Sequence, residues 1–106
     1  MSLEETVTLF RAGSKDEIAK ALAEQMFESG ENSLGGKWFA ETANDAAKWG
    51  ELMEGPGNYD ILQTQVPKNV ADNMLRFDRL DGIGPARYGE LSQLNAPGLV
   101  LTRVSK

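Results

Sequence analysis

Residues 35–50, GGKWFAETANDAAKWG, constrain the fold more than any other stretch, because they hold both tryptophans and dictate a strand, a helix cap and a helix start in immediate succession. Trp38-Phe39-Ala40 is apolar and follows Gly35-Gly36, which predicts a short buried strand entered through a tight turn. Thr42 precedes Asp45 by three residues. A hydroxyl that accepts from free helix amides, followed by an acid in the first turn, predicts a helix beginning at about Ala43. On that helix Ala46, Trp49 and Met53 fall on one face, so Trp49 is expected to point back at the strand of Trp38. Two aromatic walls would then flank one slot, with Gly36, Ala40, Ala46 and Ala47 leaving room for a flat ring.

The rest of the chain supplies elements around that unit. Thr6 to Phe10 alternates like a strand, ends at Arg11 and is broken by Ala12-Gly13. Ser14-Lys15-Asp16-Glu17 reads as a capping box opening a helix to about Glu28, with Ile18, Leu22 and Met26 on its buried face. Gly30 is expected to end it, and a polar loop runs on to Ser33. After the loop Gly55-Pro56-Gly57-Asn58, Tyr59 to Val66 reads as a strand ending at Pro67, and Lys68 to Leu75 as a short helix burying Val70, Met74 and Leu75. Arg76–Leu80 and Leu99–Val104 have strand character. The segment between, Asp81 to Gln93, is too rich in glycine and proline to read as regular, and is expected to be an ordered loop packed by Ile83, Tyr88 and Leu91. Strand–helix alternation that fails in the last third predicts a single α+β domain over residues 1–106 rather than a doubly wound parallel sheet. Met1-Ser2-Leu3 reads as an added start, which would make the domain the end of a longer, secreted protein.

The run GKWFAE, followed by AAKW, resembles the nicotinamide-pocket segment of ADP-ribosyltransferases of the poly(ADP-ribose) polymerase type. The resemblance implies a split sheet, mixed or antiparallel, with short flanking helices, and NAD as the substrate. It matches Trp38 and Phe39 to the strand aromatics and Glu41 to the acid that follows them. Trp49 stands in place of a stacking tyrosine. Ala46 stands where the family often has a serine that bonds the nicotinamide amide, which leaves that recognition to backbone groups. LFRAGS resembles the first strand of the family, so Arg11 is expected to contact the adenosine-side ribose or phosphate, with Ala12 beside it. Tyr88-Gly89-Glu90 resembles the late motif in which a glutamate serves catalysis. The resemblance thus implies Glu90 and Arg11 as catalytic residues, and Arg11, Ala12, Gly36, Trp38, Phe39, Trp49 and Tyr88 as the NAD-binding set, with Glu41 and Glu51 as rival acids. Ala40-Glu41-Thr42 replaces the serine-threonine-serine motif of the arginine-type members. Small domains of this kind also resemble the C-terminal modules of bacterial polymorphic and Rhs-type toxins, which implies a macromolecular acceptor, protein or RNA, and a cognate immunity protein.

Composition limits the chemistry. The chain has 106 residues without histidine or cysteine, so catalysis must run on carboxylates, arginines, hydroxyls and aromatics, and no thiolate metal site is expected. A carboxylate suffices for loosening the glycosidic C–N bond of NAD, because a fixed negative charge stabilises the positive ribose of the transition state more than the ground state. Eleven basic against 16 acidic residues give a net charge of -5, which disfavours a stand-alone nucleic-acid binder. No apolar run reaches the roughly 18 residues of a membrane span, and no signal peptide is recognisable, so the isolated domain reads as cytoplasmic and without a membrane partner. Two rival readings use other features. A histidine-free ribonuclease toxin would bind phosphate through Arg11, Arg76, Arg79, Arg87 and Tyr88, and an acidic inhibitor or immunity-type protein would neutralise a basic enzyme by charge.

Overall fold

A computed structural model describes residues 5–27, 36–95 and 100–104. In chain order the elements are β1 (Thr6–Ser14), α1 (Lys15–Glu24), β2 (Gly36–Ala40), α2 (Ala43–Met53), β3 (Tyr59–Pro67), α3 (Lys68–Asp72), β4 (Leu75–Leu80), β5 (Gly84–Glu90), α4 (Leu91–Leu94) and β6 (Leu101–Arg103). The strands form one six-stranded sheet in the order β4-β5-β2-β1-β3-β6, with every neighbouring pair antiparallel. The expected α+β domain is the one that forms. Within it, β1 and β2 are in register only at Phe10 and Ala40, whereas β1 pairs with β3 along its whole length. The sheet is thus two three-stranded halves hinged on a single residue pair.

Strand alternation gives each face its own core. One face carries Leu9, Phe39, Leu62 and Val66, closed by Ile18 of α1, Ala71 of α3 and Leu94 of α4, with Phe27 edge-on to Phe39 at 5.5 Å. The other carries Ala40, Ile61 and Ala86, closed by Ala46 and Trp49 of α2, with Phe10, Ala12 and Trp38 packed at its margin. Two amide side chains fasten the ends of the first core by imitating peptide groups. Leu101 N–H donates to Gln25 Oε1 at 2.8 Å while Gln25 Nε2 donates to Leu101 O, and Asn95 exchanges the same pair of bonds with the backbone of Phe27.

Several boundaries differ from the sequence reading, each for a packing reason. Strand β1 runs through Ala12-Gly13 to Ser14, because β3 pairs with it residue for residue and Gly13 only makes room for the Glu17 carboxylate, which a β-carbon would meet at 3.0 Å. The segment read as an irregular loop from Asp81 to Gln93 is strand β5 followed by α4. Its Gly89 is a close-packing site, since a β-carbon there would come within 2.8 Å of Leu94, and Pro85 stands near the strand start. Asp81 and Gly82, both at positive φ, form the tight turn that joins β4 to β5. Met26, Met53 and Leu75, expected inside, are exposed, because α1 ends at Glu24, α2 ends at Met53 itself and Leu75 already belongs to a strand. The helix expected to reach about Glu28 ends at Glu24, where Gln25 takes a left-handed backbone; the expectations for Met1-Ser2-Leu3, for Gly30, for the loop to Ser33, for Gly35 and for Leu99 lie outside the described residues. Among the described residues, no helix is long and apolar enough to cross a membrane.

Candidate functional site

The site builds outward from the start of α2. Thr42 adopts an extended backbone, and its Oγ1 accepts from Asp45 N–H at 3.1 Å, so the helix begins at Ala43 as the sequence requires. This fixes Trp49 against the sheet with 7% of its surface exposed, in one cluster with Ala40, Ala46, Tyr59, Ile61 and Ala86. Gly50 allows the Tyr59 ring to pack directly on the helix backbone, where any β-carbon would collide with it. Among the described residues, the buried Trp49 Nε1 has no hydrogen-bond partner.

Trp38 packs against the margin of that same cluster, so both tryptophans lie on one face of the sheet. The β2–β5 register puts Trp38 opposite Tyr88 and Gly36 opposite Glu90, which brings four of the expected residues side by side on this face. The Tyr88 ring centre is 5.1 Å from that of Trp38, and the phenol lies over Gly36, where a side chain would collide with it. Phe77 of β4 also packs against Trp38, with ring centres 5.5 Å apart and planes tilted by 35°. The result is a row of three rings, half-buried to exposed, at the open end of the α2 face.

Arg11 sits just past the Phe10–Ala40 join, but it alternates with Leu9 and Gly13 onto the α1 face, opposite Trp38, Tyr88 and Gly36, so its side chain is not brought to the ring row. Its Nη1 donates to the Trp38 carbonyl at 3.2 Å and its Nε to Glu17 Oε2 at 2.6 Å. A guanidinium here serves a β2 carbonyl where registered pairing with β1 has stopped, so it holds together strands that the ladder no longer joins. Ala12 follows it, partly buried beside the α2 cluster. Phe39 is not brought to this site: its neighbours in β2 point to the α2 face, and its own ring is fully buried in the opposite core. Glu90 is exposed and N-caps α4, its carboxylate accepting from Gln93 N–H while Gln93 Oε1 accepts from Glu90 N–H at 3.0 Å.

The rival acids lie elsewhere. Glu51 accepts from the Tyr59 hydroxyl at 3.4 Å, and burial, followed by the Glu51 charge, raises the Tyr59 pKa above its ordinary value. Glu41 directly follows β2, and its Oε2 takes Arg76 Nε at 2.7 Å and Arg87 Nε at 2.8 Å. The hydrogen bond from Arg76 is the main cause that holds the Glu41 carboxyl below its usual range, opposed by burial and reinforced by Arg87. Arg87 also donates to Ala71 O at 2.6 Å. This Glu41–Arg76–Arg87 cluster was not apparent as a unit in the sequence. The Asp81-Gly82 turn was its available signal, because a hairpin closed there sets Arg76 directly across from Arg87. The arginines that a ribonuclease would turn to phosphate are each bonded within the fold: Arg11 to Glu17, Arg76 and Arg87 to Glu41, and Arg79 to Gly82 O at 3.4 Å.

A surface depression of about 350 Å³ lined by Glu5, Lys68, Asn69 and Asp72 contains none of these residues. No family model matches the chain, and neither a curated protein nor a solved structure does.

Proposed function

We propose that this domain is an NAD-dependent ADP-ribosyltransferase, acting as the effector module of a bacterial toxin and carrying ADP-ribose to a macromolecular acceptor with release of nicotinamide. The observation that carries this reading is the β2–β5 register, which sets Gly36 and Trp38 against Glu90 and Tyr88 on one face. In this reading nicotinamide enters beside Trp38 against the edge of Trp49, whose unpaired Nε1–H is a donor for the carboxamide oxygen where Ala46 supplies no hydroxyl. Arg11, expected to hold the dinucleotide, lies on the α1 face in an ion pair with Glu17 and is left out of this reading. Glu90 faces the ribose as the C–N bond breaks. Nicotinamide leaves with the bonding electrons, the ribose carbon becomes positively charged, and the carboxylate stabilises that charge until an acceptor nucleophile bonds to the carbon and loses its proton.

The test is incubation with NAD labelled in the adenosine moiety and a cell lysate, together with a titration of tryptophan fluorescence by NAD alone. The reading requires label in a macromolecular fraction, equimolar free nicotinamide, and quenching that saturates with NAD. Absence of both quenching and release would overturn it in favour of an acidic binding protein.

A further inference from the structure

We propose that β4 is a self-pairing edge through which two copies of this chain join antiparallel, across a twofold axis at Phe77, into one continuous sheet. The inference is independent of the NAD reading. Among the described residues β4 ends the sheet, and each residue from Leu75 to Arg79 is exposed. Edge strands are ordinarily blunted by charges, above all lysine, by proline or by bulges; LRFDRL has neither lysine nor proline, and its charges are of both signs, so they repel a foreign strand without repelling their own copy. Instead it presents Leu75 and Phe77, 54% and 45% exposed, on the face that carries Trp38 and Tyr88.

The sequence of this edge selects the occupant. Pairing Phe77 with its own copy sets Arg76 opposite the partner's Asp78, and by symmetry Asp78 opposite the partner's Arg76. A twofold contact needs a patch complementary to itself, and Arg-Phe-Asp is the shortest pattern that supplies two opposite-charge pairs around a central aromatic pair. Within one chain Arg76 Nη1 already bonds Asp78 Oδ1 at 2.6 Å, so both side chains lie on the same face, and Asp78 is 93% exposed and open to a second partner. The register shift between β4 and β5 falls between Phe77 and Leu80, which confines regular pairing to the short stretch around Phe77. A surface this short gives a weak, concentration-dependent dimer.

Sedimentation equilibrium over a wide concentration range tests the idea on the parent, on Asp78→Arg, on Arg76→Asp and on an equimolar mixture of the two variants. The expected result is monomer–dimer exchange for the parent and at least about tenfold weaker association for each variant alone, where like charges face each other. The mixture should recover association, because one chain then carries an arginine on each side of Phe77 and the other an aspartate on each side. Arg76→Asp also removes a bond to Glu41, so circular dichroism must confirm its fold. Hydrogen exchange on the parent gives a reading free of mutation, in which the β4 amides slow as protein concentration rises. A parent that stays monomeric with concentration-independent exchange would overturn the proposal, as would folded variants that associate as well as the parent.

Discussion

At the scale of single residues, two glutamates hold contrasting positions. Glu41 is clamped by two guanidinium groups with 23% of its side chain exposed. Its carboxyl is held below the ordinary 4.5, so the stability it contributes is fully present above that value and is lost as pH falls through the depressed folded value. Thermal melts between about pH 7 and about pH 3 should therefore show the parent losing stability on the acid side. Glu41→Gln should be less stable near neutrality, and the gap should close at the acid end. A gap that stays constant with pH would mean the carboxylate charge is immaterial. Glu90 is exposed and its carboxylate caps α4. Glu90→Gln keeps an oxygen that accepts from Gln93 N–H, so the helix should survive, whereas nicotinamide release should fall by roughly a hundredfold with little change in NAD affinity. Unimpaired release in a folded Glu90→Gln protein would move the catalytic assignment to another acid.

At the scale of elements, what matters is how each segment begins and which neighbour pairs with it. Thr42 satisfies a free amide at the start of α2, the helix that carries Trp49. Thr42→Ala should cost about 1 kcal/mol in denaturant unfolding, with an unchanged dependence on denaturant concentration. Near-UV circular dichroism should keep its tryptophan signal at neutral pH, since the cap acts on stability and leaves the packing alone. The cap and the helix start were legible because both are local: a hydroxyl, a spacing and an amide. Strand β5 was not legible, because glycine and proline argue for a loop until a neighbour is known. Here Trp38 and Tyr88 pair across β2 and β5, and Gly89 lies under Leu94, so the glycines record close contacts made by other elements. Strand β1 passed through Ala12-Gly13 for a related reason, as its partner β3 is long enough to hold it.

At the scale of the whole molecule, one sheet separates two cores, and Trp49 is the largest side chain that α2 contributes to the second of them. Trp49→Ala should cost about 3–5 kcal/mol of stability and, in the proposed reading, weaken NAD binding more than it slows the chemical step. Denaturant unfolding reads the stability loss, and the dependence of nicotinamide release on NAD concentration separates weaker binding from slower chemistry. What the sequence determined by itself were features set within a turn or two of chain: the α+β class, the Thr42 cap, the strand of Trp38, and the absence of any histidine or thiolate chemistry. What only the tertiary structure decided were the partners across the sheet. Phe39 and Trp38 are neighbours in sequence, yet one enters a core and the other an open face, because successive side chains of a strand point to opposite sides. Glu41, Arg76 and Arg87 come from three separate segments; the turn at Asp81-Gly82 signals that the two arginines pair, but no local pattern announces that Glu41 of another strand end will meet them. Local propensity reads the chain a few residues at a time, whereas register and burial are set by contacts between residues far apart in it.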